Sequence, residues 1–208
     1  MALAVVSAGG LVILRDWRAG VILLAGQYVA VALLSAPALP FPAWLVKAVG
    51  GAAVCAVLGL GLDWRARPAR LWPRRAAAAR ILFRALACLT VLVVALAVSA
   101  NPAWGGPHLH PSAHVAAFAL LGLGLLNIGL SREADLHAVL GLLVTLNGFE
   151  IMYAAMEPAL AVLGLLAGTQ IALALSANYL RQQGEAAATH DIPPERAAFA
   201  LRFRTALS

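Results

Sequence analysis

The sequence predicts an all-α integral membrane protein of about seven transmembrane helices, and three observations carry that prediction. Hydrophobic residues make up 62% of the 208 positions and charged residues 12%, where soluble domains run nearer half and a quarter. Apolar runs recur at lengths close to the roughly 20 residues that a bilayer-spanning helix requires. Arginine gathers in alternate connections between those runs, the pattern of a polytopic protein with its basic loops in the cytoplasm. Backbone groups in hydrocarbon find no water, so each crossing is a helix or a strand of a closed barrel, and these runs are too long for barrel strands.

The runs fall at 2–14, 19–36, 41–62, 82–100, 114–131, 136–156 and 158–180. The first is the weakest. Its 13 residues at about 1.5 Å of rise reach only about 20 Å, so it needs a thinned bilayer or shielding neighbours. Six crossings therefore remain an alternative. No basic segment precedes this run, and Arg15-Asp16-Trp17-Arg18 follows it in place of a small-residue cleavage site. It is expected to be a retained helix rather than a secretory leader.

Orientation follows from the arginines. Arg15 and Arg18 lie in the first connection; Arg65, Arg67, Arg70, Arg74, Arg75 and Arg80 in the third; Arg132 in the fifth; Arg181, Arg196, Arg202 and Arg204 in the tail. The even-numbered connections contain no lysine or arginine. Seven helices with the N-terminus outside and the C-terminus in the cytoplasm satisfy this distribution, and a prokaryotic inner membrane is the expected location. The same arginines account for the net charge of +6, so nucleic acid is not an expected partner. Cys55 and Cys88 both sit inside apolar runs, which predicts neither a disulfide framework nor a zinc site.

Four regions result. Residues 1–62 form a three-helix membrane unit. Residues 63–81 form a basic connection whose Trp64, Pro68, Trp72 and Pro73 suit the lipid headgroups. Residues 82–181 form a four-helix unit, and 182–208 a polar cytoplasmic tail. In that tail Pro193-Pro194 precedes Phe199, Leu201 and Phe203, interleaved with Arg202 and Arg204, a pattern suited to lying on the membrane or on a partner.

Ionisable groups inside the apolar runs are the candidates for chemistry, because a charge near the bilayer centre costs at least about 2.5–3.5 kcal/mol. Two stand out, Lys47 and Glu150. Glu150 lies well within its run, with Asn147 one turn before it and Tyr153 one turn after, a polar stripe suited to a proton relay. Lys47 follows Pro40, Pro42 and Trp44 early in its run. At about 10 Å from the helix start it either snorkels to the headgroups or points into a polar path, and the sequence leaves both open. Gln27 and Lys47 are 20 residues apart on consecutive runs, as are Glu150 and Gln170. Each pair flanks a proline-bearing turn, at Pro37–Pro42 or at Pro158. This spacing suggests a degenerate repeat with polar residues facing one another in each half.

The run Gly148-Phe149-Glu150-Ile151-Met152-Tyr153-Ala154-Ala155 resembles the G-x-E-I-M-x-x-A signature of the K-type membrane subunit of complex I. The resemblance continues in Ile171-Ala172-Leu173-Ala174-Leu175 and covers roughly residues 114–181. In that family the glutamate belongs to a chain of buried charges along which protons move between subunits, a role the resemblance places on Glu150. The family's second carboxylate has no acidic counterpart among Gly168, Thr169 and Gln170, and the turn from Ser131 to His137 is longer than the family's. Four helices precede the matching unit. That extended layout, with Lys47 in an early helix, is similar to the E-type membrane subunit of group-4 hydrogenases and formate hydrogenlyase.

The resemblance implies an accessory subunit of a proton- or sodium-translocating complex, partnered by antiporter-like and other membrane subunits. Glu150 and Lys47 would be its relay, with Asn147, Tyr153, Gln170 and Gln27 lining the path. No cofactor and no catalytic centre are expected, since there is no cysteine cluster and no dinucleotide fingerprint. His108, His110 and His114 bring three imidazoles into seven residues, yet no cysteine or carboxylate lies beside them in that loop to complete a zinc or copper site, so no metal is expected. Axial haem ligation is likewise not expected, because His137 stands at the start of its run. A stand-alone secondary transporter is the main alternative, and a purely structural scaffold is a third reading.

Overall fold

A computed structural model of the chain describes residues 1–14, 16–37, 39–61, 74–101, 110–131, 136–156 and 159–190. Among these residues every regular element is an α-helix: α1 (Ala2–Ile13), α2 (Trp17–Ser35), α3 (Phe41–Leu60), α4 (Arg74–Ser99), α5 (Pro111–Leu130), α6 (Leu136–Met156) and α7 (Leu160–His190). Six of them, α2 to α7, contain stretches long and apolar enough to cross a membrane. The protein is an all-helical integral membrane protein.

Local chemistry starts the helices. Asp16 accepts a hydrogen bond from the Arg18 amide at 3.2 Å and caps α2, satisfying one of the amides a helix start leaves unpaired. Pro42 stands in the first turn of α3 and Pro111 opens α5, where the missing N–H of proline costs nothing. Two helices outrun their apolar cores. α4 begins at Arg74, inside what hydropathy marks as the basic connection, and α7 runs on to His190, into the expected tail. Arg74–Arg80 and Glu185–Ala188 are rich in alanine and long side chains, good helix formers with no need of lipid. The remainder of the connection, 63–73, and the tail segment 191–208 lie outside the described residues.

The short α1 spans 12 residues and is shielded by its neighbours. It packs on α2, α4 and α5, and Ala4, Ala8, Leu11 and Val12 are buried there. Its last turn is held by Arg84 of α4, whose Nη1 donates to the Val12 carbonyl at 2.9 Å. The closing carbonyls of a helix lack intrahelical donors and carry partial negative charge, so a guanidinium is a matched partner.

The centre of the molecule is a ring of four helices. α2 packs on α3, α3 on α7, α7 on α6, and α6 back on α2. Gly50 lies against Ala167 and Gly61 against Asn178, so α3 and α7 run in the same direction; short turns then make α2 and α6 run together the opposite way. α5 seals the α6 side through backbone-to-backbone contact. A Cβ on Gly124 would meet the Gly141 carbonyl at 2.7 Å, and one on Gly148 the Ala117 carbonyl at 2.8 Å. Such close approach is how membrane helices gain contact without a hydrophobic drive between them.

Candidate functional site

Inside the ring, two polar bonds cross between helices that are not ring neighbours. Lys47 on α3 forms a hydrogen-bonded ion pair with Glu150 on α6, Nζ to Oε2. Both side chains are 4% exposed. Lys47 therefore turns inward, and of the two orientations open to it in the sequence the structure takes the polar path over the headgroups. On the other diagonal the Tyr28 hydroxyl of α2 donates to Gln170 Oε1 of α7 at 3.1 Å. The Glu150 carboxylate lies within electrostatic range of the Tyr28 hydroxyl, so the two bonds belong to one polar core.

Glycines on α3 make this crossing fit. Gly51 faces the Tyr28 ring, where a Cβ would stand 2.7 Å from Cδ1, and Gly50 faces Ala167, where a Cβ would stand 2.9 Å from the alanine methyl. One turn past Lys47, α3 is thus pressed against both α2 and α7. Apolar layers close the core at each end. Leu39, Ala43, Ala154 and Leu163 pack together on the side of the proline turns, and Leu24, Val54, Val144 and Ala174 belong to the larger cluster on the other side.

Gln27, Asn147 and Gln170 are buried as well. Both polar atoms of Gln27 and of Asn147, and Nε2 of Gln170, have no hydrogen-bond partner among the described residues. An unsatisfied buried polar group costs about 1–3 kcal/mol, and each one calls for a reason other than packing. Tyr153 stands apart from this group. It is half-buried, its ring stacks on Phe149 at 6.3 Å between centroids, and it packs on the smaller apolar cluster. Three residues turn a helix face by about 60°, so two such steps from Asn147 carry Tyr153 out of the ring interior.

Of the three histidines in the fourth connection, the structure describes two. His110 is exposed and caps α5 by accepting from the Ser112 amide, His114 is half-buried on α5, and His108 lies outside the described residues. Among the described residues no group of three histidine, cysteine, aspartate or glutamate side chains is placed to hold a metal ion. Cys55 and Cys88 are free thiols.

Two residues of consequence carry little signal in the sequence. Tyr28 reads as one more aromatic in an apolar run, and its only mark is the adjacent Gln27. Arg84 sits near the start of the fourth run, where the surrounding hydropathy hides it. The chain matches no family model, no curated protein and no solved structure in comparisons with known proteins.

Chemically, the core sets one ammonium against one carboxylate out of contact with water, a placement in which each charge needs the other as its partner.

Proposed function

We propose that this chain is an accessory membrane subunit of a complex I-like or membrane-bound-hydrogenase-like assembly that translocates protons or sodium ions. Glu150 is its relay carboxylate, and Lys47 is the counter-charge that sets when Glu150 takes up or gives up a proton. The observation that carries this reading is the buried Lys47–Glu150 ion pair at the centre of the helix ring. A membrane protein keeps such a pair at a cost in stability, and ionisable residues within membranes mark charge pathways by default. The resemblance of Gly148–Ala155 to the K-type signature points to the same carboxylate. The chain supplies no redox centre in this reading, and its partners are antiporter-like and other membrane subunits of a prokaryotic inner membrane. Its basic connections face the cytoplasm.

A stand-alone secondary transporter is the second reading, and the arrangement of the ring favours it in one respect. α1–α3 and α5–α7 meet like with like, α1 on α5, α2 on α6 and α3 on α7, as in transporters made of two parallel repeats with a polar site between them. Copurification separates the two. A tagged chain extracted in mild detergent is expected to bring large antiporter-like membrane subunits with it, identified by mass spectrometry. Recovery of the chain alone, stable and at full yield, overturns the subunit reading in favour of a transporter.

A further inference from the structure

The ring contains a register that the ion pair alone does not reveal. Gly20, Leu24, Gln27, Tyr28, Ala30 and Val31 are buried on α2, and 120 positions later Leu140, Val144, Asn147, Gly148, Glu150 and Ile151 are buried on α6. The same shift takes buried Ala43, Lys47, Gly50 and Val54 of α3 to buried Leu163, Ala167, Gln170 and Ala174 of α7. Contacts respect the register: Gly20 faces Leu140, its own counterpart. This differs by three residues from the pairing that the 20-residue spacing suggests, Gln27 with Glu150 and Lys47 with Gln170. Here Gln27 answers to Asn147, and both are buried amides with no partner on either polar atom among the described residues.

In this register each of the four side chains that bond across the core answers to a small residue in the other half. Lys47 corresponds to Ala167, Glu150 to Ala30, Tyr28 to Gly148 and Gln170 to Gly50. The first half supplies both donors, Lys47 and Tyr28, and the second supplies both acceptors, Glu150 and Gln170. We propose that the core is a two-fold site in which each bonded pair occupies only one of its two equivalent positions, and that Tyr28 and Gln170 are positioning residues that hold the two halves in the register keeping Lys47 on Glu150.

The reason is mechanical. The hydroxyl–amide bond ties α2 to α7. α3 lies between those two helices through Gly51 against the Tyr28 ring and Gly50 against Ala167, and Lys47 is one turn away on the same helix. Loss of the bond frees α3 to shift, and a hydrogen-bonded ion pair is sensitive to shifts of a few tenths of an ångström.

The proposal takes its functional meaning from Glu150 as the relay carboxylate, but its test is read without ion flux, so the two can fail separately. The full chain in lipid nanodiscs is treated with dicyclohexylcarbodiimide, which reacts with protonated carboxyls in apolar surroundings, and labelling of Glu150 is followed by peptide mass spectrometry. Tyr28→Phe keeps the ring and removes only the donor; it is expected to fold, and to label several-fold faster than the unaltered chain. Labelling at the unaltered rate overturns the positioning role. A second variant tests the register by moving the pair to the mirror diagonal, with Lys47→Ala, Glu150→Ala, Ala30→Glu and Ala167→Lys together. A melting temperature close to that of the unaltered chain, with the carboxyl at position 30 protected from labelling, supports the two-fold site. Melting as low as that of Lys47→Ala alone overturns it.

Discussion

The Lys47–Glu150 pair is costly to hold inside the ring, and substitution of one or both partners is expected to expose that cost. Lys47→Met leaves a carboxylate without its cation inside the ring, which costs about 3–5 kcal/mol or forces the acid to take up a proton. Replacing both partners by apolar groups of similar volume removes the desolvation cost and is commonly neutral or stabilising. Thermal melting in nanodiscs is therefore expected to show a large drop for Lys47→Met and recovery to at least the unaltered value for Lys47→Met with Glu150→Met, although the double variant carries no relay group. A double variant melting as low as the single would mean that the pair is a structural support. Glu150 stood out in the sequence because an acid in an apolar run has few explanations. Lys47 was ambiguous because its stem is long enough to reach either the headgroups or the interior, and only the neighbouring helices decide. Tyr28 was hidden because a tyrosine satisfies the composition of any membrane helix; its role depends on Gln170, 142 residues away.

At the scale of elements, hydropathy located the helices well and their ends poorly. The apolar runs mark what lies in lipid, whereas α4 and α7 extend beyond it on helix propensity. Contacts between helices were not readable, since a glycine at a tight interface looks like a glycine facing lipid. The structure separates them, and substitution checks the separation. At Gly124 a Cβ would stand 2.6 Å from the Thr145 amide nitrogen, so Gly124→Ala pushes α5 off α6 and is expected to destabilise by about 1–3 kcal/mol. At Gly164 nothing lies within 4 Å of a Cβ, and Gly164→Ala is expected to be neutral or to stabilise by up to about 1 kcal/mol. Both are measured by melting in the same lipid. Arg84 provides a local test of α1. Arg84→Ala removes the donor on the Val12 carbonyl, and hydrogen exchange at Leu11–Leu14 is expected to quicken while α5 and α6 keep their protection.

For the whole molecule, composition alone marks an all-helical membrane protein, and the alternation of arginines predicts its orientation. What the sequence could not supply is the ring. Its closure depends on which helices touch, and the 20-residue spacing points to paired halves with a register fixed only to within one turn, because a three-residue shift rotates a helix face by only about 60°. Placement of the polar core at the ring centre, between two apolar layers, puts both members of a buried charge pair in one chain. In the proposed assembly the chain therefore acts by changing the charge state of its own core, and the assembly around it should not depend on that state. The direct test is ion translocation by membrane vesicles containing the whole complex with Glu150→Gln in this chain. Flux is expected to fall by at least about tenfold, roughly the loss of 1.4 kcal/mol or more of barrier lowering, while the larger subunits still copurify in full. Unchanged flux through a complete complex would contradict it.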